Sequence, residues 1–256
     1  MVACGIDCGS EAVKIVLLKD GGFSWTSLQY GERTTKETAE KGFQYLLERE
    51  KIVCSDVRYI ISTGVGRKSV EFSKESVSEI LCLAKGANFI CPNLKCAVDV
   101  GARNINVVKC SGGKVLKFLT NSRCASGTGM FLKMASGILG LKMEELDQLS
   151  LQSRDSCELQ STCAVFAESE IISLIHEGKK IEDIVKGIML AIANRIYGFL
   201  FEIGAEEPVF LSGGLGKIKS VKILLEGKLG KKVIVPENPH IVNALGAALI
   251  AKERSQ

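Results

Sequence analysis

The sequence lacks long runs of lysine or arginine with aromatic residues spaced between them. Its 33 basic and 29 acidic residues are spread along 256 positions, and only 6% of the residues are aromatic. A nucleic-acid groove or a basic membrane-binding patch would concentrate such residues. We therefore expect neither a nucleic-acid partner nor a membrane partner.

A long apolar run without charged residues is also absent. The most apolar stretch, from Ile184 to Ile203, contains Lys186 and Arg195, which a membrane-spanning helix would disfavour. Near the start of the chain, Asp7 and two glycines interrupt the apolar residues that a signal peptide would need. These features predict a cytoplasmic protein.

The ten cysteines form no recognisable disulfide framework, and a reducing cytoplasm would keep them as thiols. Free cysteine often behaves as a small buried hydrophobic residue, and this is our interpretation of four of them. The four are Cys4, Cys54, Cys82 and Cys110. Cys91 and Cys96 flank Pro92, but neither a second pair nor a histidine follows at the spacing of a zinc site, so we expect no structural metal there.

An internal repeat is the most informative feature of the chain. The segment Cys4-Gly-Ile-Asp7-Cys-Gly9 returns ninety-two residues later as Cys96-Ala-Val-Asp99-Val-Gly101. Each copy continues into an apolar segment and then a hairpin turn, at Asp20-Gly-Gly22 and at Ser111-Gly-Gly113. Both copies are therefore predicted to form a strand, a tight turn, a second strand and a hairpin turn.

An aspartate at a strand end beside a glycine turn is suited to phosphate binding. Backbone N–H groups can approach phosphate oxygens there, while the carboxylate holds magnesium-bound water. A single Asp-x-Gly turn is also common as ordinary hairpin punctuation. The matched pair favours a duplicated phosphate-binding unit, with two turns that could face each other across a cleft.

Helices are predicted between and after the repeated units from apolar spacing and end signals. Their bounds are Thr35 to Lys51, Lys74 to Asn88, Ser126 to Leu139, Ala164 to His176, Ile181 to Ile203, and Ile241 to Glu253. A third glycine turn, Leu211-Ser-Gly-Gly-Leu215, follows a predicted strand from Val209 to Leu211. Strands followed by helices throughout predict an α/β fold with layered sheets.

The paired turns, the Ser212-Gly-Gly214 turn and the closing segment Asn243-Ala-Leu-Gly-Ala-Ala248 resemble the actin/hexokinase/heat-shock-70 ATPase superfamily. Two cysteine motifs are more specific and are similar to those of the activator ATPases of 2-hydroxyacyl-CoA dehydratases and benzoyl-CoA reductases. They are Arg123-Cys124-Ala-Ser-Gly-Thr-Gly129 and Ser161-Thr-Cys163-Ala-Val-Phe-Ala-Glu-Ser-Glu170. The resemblance covers essentially the whole chain. It implies a duplicated actin-like (ribonuclease H-like) fold, with lobes at residues 1–95 and 96–256 around a nucleotide cleft and with the C-terminal helix able to pack back on the first lobe.

The resemblance also implies a dimer that carries one 4Fe-4S cluster at its two-fold axis. A cubane cluster takes four thiolates, and Cys124 and Cys163 match the ligand motifs, so one chain would supply half a site and a second subunit the rest. Each cysteine precedes a predicted helix, whose N-terminus would favour a thiolate and a reduced cluster. Cys157 is a further, weaker candidate ligand.

The activity that the resemblance implies is the use of ATP to drive single electrons onto an acyl-CoA dehydratase or reductase. The expected cofactors are ATP or ADP with Mg²⁺, and the expected donor is a ferredoxin or flavodoxin-like protein. An exposed cluster at a subunit interface would be sensitive to oxygen, which predicts an anaerobic host.

For the nucleotide, the resemblance places specific residues at three turns. Asp7, Gly9, Ser10 and Lys14 fall at the first phosphate turn, Asp99 and Gly101 at the second, and Ser212, Gly213 and Gly214 near the adenosine. Asp7 and Asp99 are the candidate catalytic residues. Lys14 has an equally plausible interpretation as a solvated strand residue.

The second phosphate turn departs from the family pattern. The typical activator has Asp-Ile-Gly-Gly-Gln-Asp, whereas this chain has Asp99-Val-Gly-Ala102-Arg103-Asn104. Asn104 cannot act as a general base. The methyl group of Ala102 reduces the space in which a phosphate could approach the turn backbone. Hydrolysis by this subunit alone is therefore in question, and a heterodimer with a more typical paralogue is an alternative to a homodimer. Arg103 either compensates phosphate charge or is solvated.

Three functions remain open from the sequence. The first is the ATP-dependent electron-transfer activator. The second is a sugar or small-metabolite kinase of the same superfamily, in which the cysteines would be incidental. The third is a subunit that binds nucleotide and cluster without hydrolysing ATP.

Overall fold

A computed structural model of the chain describes residues 2–19, 22–121, 127–159 and 164–256. Within these residues, ten strands and eight helices form an α/β structure with two five-stranded sheets. The predicted turn at Asp20-Gly-Gly22 and both cysteine ligand positions fall partly or wholly outside the described residues.

The first sheet is built on the N-terminal repeat. Its strands are β1 (Val2–Cys8), β2 (Ala12–Lys19), β3 (Gly22–Gln29), β4 (Val57–Thr63) and β5 (Glu75–Ser76). The order across the sheet is β3-β2-β1-β4-β5. Strands β1, β2 and β3 pair antiparallel, whereas β4 runs parallel to β1. The carboxyl ends of β1 and β4 therefore lie side by side.

The second sheet repeats this order. Its strands are β6 (Cys96–Val100), β7 (Ile105–Ser111), β8 (Lys114–Asn121), β9 (Val209–Ser212) and β10 (Val233–Ile234). Across the sheet they lie as β8-β7-β6-β9-β10, the same order as in the first sheet when each strand is matched to its counterpart. The internal repeat predicted from the two Asp-x-Gly segments is thus confirmed as a repeat of topology.

The chain divides into two compact units. The first consists of Met1–Ala97, Val108–Phe118 and Pro236–Gln256, and the second consists of Val98–Val107 and Leu119–Val235. The C-terminal helix α8 (Val242–Arg254) belongs to the first unit. The predicted lobe boundary between residues 95 and 96 stays a prediction.

The first unit has apolar layers on both faces of its sheet because side chains alternate along the strands. On one face, Cys4, Ile6 and Cys8 pack with Phe43 and Leu46 of helix α1 (Thr35–Glu50). On the other face, side chains of β1, β2 and β4 pack with α8. Gly246 lets α8 lie against helix α2 (Glu79–Ile90), because a Cβ there would lie 1.9 Å from the Cys82 carbonyl oxygen.

The second unit holds the remaining helices. They are α3 (Gly129–Leu139), α4 (Met143–Gln152), α5 (Ala164–His176), α6 (Ile181–Ile203) and α7 (Lys219–Leu229). Helix α6 packs against α4 and α7. The Asp147 carboxylate of α4 caps α7 by accepting hydrogen bonds from the backbone N–H groups of Lys219 and Ser220, at 3.0 and 2.8 Å.

Helix α6 is long and apolar enough, by composition alone, to cross a membrane, but half of its most apolar window is buried inside the protein. Its buried residues include Ile184, Ile188 and Ile192 at four-residue spacing. The same property is found in core helices of water-soluble proteins, so this helix is weak support for a membrane span.

Most of the predicted helices agree with the structure, and α1 and α8 differ from their predicted bounds by at most one residue at each end. Ala164–His176 and Ile181–Ile203 begin and end where predicted. The helix predicted from Lys74 to Asn88 is present as α2, but its predicted start is wrong. Glu75 and Ser76 pair with β4, and α2 begins after the cap residue Ser78, whose hydroxyl accepts a hydrogen bond from the Leu81 N–H. Helices α4 and α7 were not predicted.

Candidate functional site

The turn between β1 and β2 places Asp7 and Lys14 together. The two residues are direct partners in the antiparallel register, and the Lys14 ammonium lies 3.1 Å from the Asp7 carboxylate. Asp7 is only 4% exposed. The Gly9 N–H closes the turn with a hydrogen bond to the Ala12 carbonyl oxygen at 3.1 Å. Ser10, at the tip of the turn, is half-buried.

A side chain at position 9 would disturb this pair. A Cβ on Gly9 would lie 2.7 Å from the Lys14 ammonium nitrogen. The interpretation of Lys14 as a freely solvated strand residue is wrong, because its ammonium is paired with Asp7. The turn therefore offers a buried carboxylate and a cation at one strand end.

A second loop, which the sequence analysis missed, packs on this turn. It follows β4 and reads Gly64-Val-Gly66-Arg67, and Thr63 lies opposite Asp7 in the parallel register. Gly64 has a φ of 89°, and a Cβ there would lie 2.6 Å from an Asp7 carboxylate oxygen. The Gly66 N–H donates to the Cys8 carbonyl oxygen at 3.0 Å. A glycine pair directly after an apolar strand was the available signal.

Tyr30 is a further residue of this site that the sequence analysis missed. Its hydroxyl donates a hydrogen bond to the Gly9 carbonyl oxygen at 2.6 Å. Burial raises the pKa of Tyr30, although a hydrogen bond with Thr35 opposes that effect. Because the two residues are 21 positions apart, no local pattern connects Tyr30 with the turn.

The second turn, between β6 and β7, is closed in the same way as the first. The Gly101 N–H donates to the Asn104 carbonyl oxygen at 2.9 Å, which matches the bond from Gly9 to Ala12. Asp99 is buried, with 8% of its surface exposed. The Ser212 hydroxyl lies 3.1 Å from both the Val98 carbonyl oxygen and an Asp99 carboxylate oxygen. This turn therefore places its aspartate beside a hydroxyl.

The glycines after β9 continue this arrangement. Gly213 has a φ of 86°, and a Cβ there would lie 2.3 Å from the Val100 carbonyl oxygen, so only glycine fits between the two strand ends. Gly214 begins a short 3-10 turn and is exposed. Ser212 and Gly213 thus contact the strand that carries Asp99.

The residues of the second turn that differ from the family pattern are half-buried or exposed. Ala102 and Asn104 are half-buried, and Arg103 is exposed. The carbonyl oxygens of Gly101 and Ala102 accept hydrogen bonds from the backbone N–H groups of Gly129 and Met130, at 3.0 and 2.8 Å. The turn therefore satisfies the first N–H groups of α3, which otherwise have no partner within a helix.

The two predicted cluster ligands, Cys124 and Cys163, lie outside the described residues. Helix α3 begins five positions after the first, and α5 begins directly after the second. Among the residues that the structure describes, no group of three or more His, Cys, Asp or Glu side chains could hold a metal ion.

The other thiols are in several environments. Cys4, Cys82 and Cys110 are buried as predicted, whereas Cys54 is exposed in a short turn, so its interpretation as a buried residue is wrong. Burial and the Asp7 carboxylate raise the pKa of Cys8 to about 12, although Lys14 opposes them. Burial also raises the pKa of the half-buried Cys157 thiol. Such thiols are protonated at neutral pH and are poor nucleophiles.

The donor set at the first turn fits the phosphate groups of a magnesium-bound nucleotide. The turn contains Gly9 and carries a carboxylate at Asp7, an ammonium group at Lys14 and a hydroxyl-bearing residue at Ser10. Carboxylates hold magnesium or its water ligands, and cations and hydroxyls bind phosphate oxygens. At the second turn, the Asp99 carboxylate and the Ser212 hydroxyl likewise lie at the ends of strands.

The repeated sheet topology and the paired Asp-x-Gly turns define an actin-like ATPase fold. A family model described as the BadF/BadG/BcrA/BcrD ATPase family matches residues 4–251. The chain belongs to this family, and both the predicted family and the predicted fold class are confirmed.

Individual relatives agree with this assignment. The chain is 34% identical over its full length to a 2-hydroxyisocaproyl-CoA dehydratase activator of Clostridioides difficile, and it covers 97% of that protein. It is 32% identical to one of the benzoyl-CoA reductase subunits of Thauera aromatica, with 97% of this chain and 92% of that protein aligned. A solved structure of an activator of 2-hydroxyisocaproyl-CoA dehydratase with bound ADPNP aligns with a TM-score of 0.93 and 33% identity, over 100% of this chain and 96% of that chain.

Proposed function

We propose that this chain is an ATP-dependent activator that drives low-potential electrons onto an acyl-CoA dehydratase or reductase. The observation that carries the proposal is the end-to-end likeness, at 34% identity, to an activator of such a dehydratase. The pair of strand-end turns described above supplies the nucleotide-binding chemistry that this activity requires.

The nucleotide phosphates are proposed to bind at the Asp7 and Asp99 turns. Asp7 and Asp99 hold Mg²⁺ or its water ligands, and Lys14 and Ser10 contact phosphate oxygens. Gly9 and Gly101 keep the turn backbones open to the phosphates. Ser212, Gly213 and Gly214 are proposed to lie near the adenosine. The bound ADPNP in the solved structure of a relative supports nucleotide binding by this chain.

Cys124 and Cys163 are proposed to hold one 4Fe-4S cluster together with the same cysteines of a second subunit. The cluster supplies single electrons at low potential. Helix α5, directly after Cys163, exposes Val165 and Phe166 by 70% and 68%. Exposed apolar side chains of this size support a subunit or partner contact beside the ligand.

The hydrogen bonds at the start of α3 are a proposed route between nucleotide and cluster. The carbonyl groups of Gly101 and Ala102 hold the N-terminus of the helix that follows the Cys124 motif. A change at the phosphate turn, on binding or hydrolysis, would therefore shift the backbone that leads back to Cys124. Cluster potential depends on hydrogen bonding and exposure, so such a shift would change it.

The partners follow from this assignment. We propose an acyl-CoA dehydratase or reductase as the electron acceptor and a ferredoxin or flavodoxin-like protein as the donor. The chain pairs as a homodimer or with a paralogous ATPase subunit, in the cytoplasm of an anaerobic cell.

The cluster is tested by anaerobic purification, reconstitution with iron and sulfide, and measurement of iron content and molecular mass. We expect about four irons per dimer. Cys124→Ala and Cys163→Ala each lose the iron, whereas the control Cys157→Ala keeps it. Iron that persists in both ligand variants, or that is lost equally in the control, would contradict the assignment.

A second candidate is a subunit that binds nucleotide and cluster without turning ATP over. The Ala102-Arg103-Asn104 segment favours it, because an amide at position 104 cannot accept a proton as a carboxylate can. The two candidates are separated by comparing ADPNP binding with ATP turnover in the same reconstituted protein. The second candidate is supported if ADPNP binds tightly, ATP is not turned over, and co-expression with a paralogue restores turnover.

A further inference from the structure

We propose that Arg67 is a nucleotide-binding residue whose guanidinium contacts the terminal phosphates at the Asp7 turn. This inference rests on the proposed nucleotide-binding function. It adds a cation that no sequence motif considered above assigned to the site.

The position of the Arg67 loop follows from strand pairing. Strand β4 is parallel to β1, and Thr63 is the register partner of Asp7, so the loop after β4 leaves the sheet beside the phosphate turn. Gly64 lies so close to Asp7 that a Cβ would be 2.6 Å from its carboxylate oxygen. Ligand sites commonly form where the carboxyl ends of neighbouring parallel strands meet.

The loop is held firmly against the turn. The Gly66 N–H donates to the Cys8 carbonyl oxygen at 3.0 Å, and the Ser62 hydroxyl donates to the Arg67 carbonyl oxygen at 3.0 Å. One guanidinium nitrogen of Arg67 donates to the Gly64 carbonyl oxygen at 3.0 Å, which folds the side chain back onto its own loop. An arginine fixed in this way loses little conformational freedom when it binds an anion.

The remaining donors of Arg67 suit a phosphate group. A guanidinium carries five N–H donors in a planar fork, and the bond to Gly64 uses one of them. The residue is half-buried, so part of it is accessible from solvent. Arginine binds phosphate oxygens through two parallel hydrogen bonds when the fork is accessible.

The charges at the Asp7 turn also favour a phosphate contact by Arg67. The Lys14 ammonium lies 3.1 Å from the Asp7 carboxylate, so the two charges largely offset each other. A magnesium-bound polyphosphate is still negatively charged and needs a further cation. Arg67 supplies that charge from the strand next to Asp7.

The test is the affinity of the full chain for Mg-ADPNP and for adenosine, measured by titration calorimetry. We expect Arg67→Gln to weaken Mg-ADPNP binding by about tenfold or more, as for a lost charge-assisted hydrogen bond. Binding of adenosine, which has no phosphate, changes less than about twofold. The adjacent exposed cation gives the matched control, because Lys68→Gln leaves both affinities unchanged.

Arg67→Lys keeps the charge but loses the planar fork, so we expect weaker Mg-ADPNP binding than in the wild type and stronger binding than in Arg67→Gln. An Arg67→Gln variant that binds Mg-ADPNP as the wild type does would overturn the inference. Equal loss of both ligands would also overturn it, because it would indicate a structural role. Failure of the wild type to bind either ligand would instead contradict the proposed function itself.

Discussion

Asp7 and Asp99 occupy equivalent turns but have different neighbours. Asp7 pairs with the Lys14 ammonium, whereas Asp99 accepts a hydrogen bond from the Ser212 hydroxyl. The two carboxylates therefore lie in different surroundings, and the turn that carries Asp99 is the one that departs from the family pattern.

Tyr30 gives a residue-level prediction. Tyr30→Phe leaves the Gly9 carbonyl oxygen without its 2.6 Å donor, which loosens the proposed phosphate turn. We expect Mg-ADPNP to bind about three- to tenfold more weakly, since a hydrogen bond of this kind contributes about 1 kcal/mol. Titration calorimetry measures the effect. The control is Tyr45→Phe at a half-exposed tyrosine, and equal affinities in the two variants would contradict a positioning role.

The buried thiols give a prediction for alkaline pH. Burial raises the pKa of Cys8, Cys82 and Cys96 to about 12, from an ordinary value of 9.0. At a pH between these two pKa values, the thiols are deprotonated in the unfolded chain and still protonated in the folded chain. Stability is therefore unaffected below about pH 8 and falls as the pH rises above 9, by about 1.4 kcal/mol per pH unit for each thiol.

The corresponding measurement is urea unfolding at pH 8 to 11 under reducing conditions. Cys96→Ala removes one titrating thiol and is expected to flatten the decline. Cys54→Ala removes an exposed thiol and leaves the slope unchanged. If both variants decline with the wild-type slope, the thiols do not cause the loss of stability.

At the scale of elements, the sequence contained enough to predict the repeated strands and turns. Asp7 and Asp99 could be found because each stands beside a glycine at the end of an apolar strand. The Gly64-to-Arg67 loop carries no aspartate and did not match that template, although the parallel pairing of β4 with β1 makes it part of the same site. Tyr30 could not have been found, since its contact with Gly9 exists only after the sheet and α1 are in place.

Helix α7 was missed for a different reason. Its segment, Lys219–Leu229, contains several lysines and an internal glycine, so its helical periodicity is weak. The Asp147 carboxylate from α4 supplies the N-terminal cap that its own sequence lacks. The capping residue is 72 positions away from the helix start, so no local signal reveals it.

Helix α8 gives a prediction at the element scale. Gly246→Ala places a methyl group where the Cys82 carbonyl oxygen lies 1.9 Å away, so α8 must move off α2. We expect a loss of about 2 to 3 kcal/mol in the free energy of unfolding, as for an overpacked core.

The matched control is Gly198→Ala in α6, where an added Cβ meets no atom within 4 Å. That substitution is expected to stabilise the protein by about 0.5 to 1 kcal/mol through helix propensity. Chemical denaturation measures both variants. Similar effects of the two alanines would show that the close contact between α8 and α2 is unimportant.

At the scale of the whole molecule, the chain uses one strand topology twice and carries an aspartate turn on each copy. Among the described residues, the second unit adds five helices, of which α3 and α5 follow the two proposed cluster ligands. The Asp7 turn is bonded to Tyr30 and to the loop after β4, whereas the Asp99 turn is bonded to α3. In the proposed activator, the second turn is therefore the one that communicates with the cluster.

The most direct test of this account is the midpoint potential of the reconstituted cluster, measured by anaerobic redox titration with no nucleotide, with Mg-ADP and with Mg-ADPNP. We expect one midpoint potential with Mg-ADP and a different one with Mg-ADPNP, because the second turn holds the helix after the Cys124 motif. The Asp99→Asn variant, which weakens Mg²⁺ binding at that turn, should lose the difference. A potential that is the same in all three states, in protein that demonstrably binds the nucleotide, would contradict it.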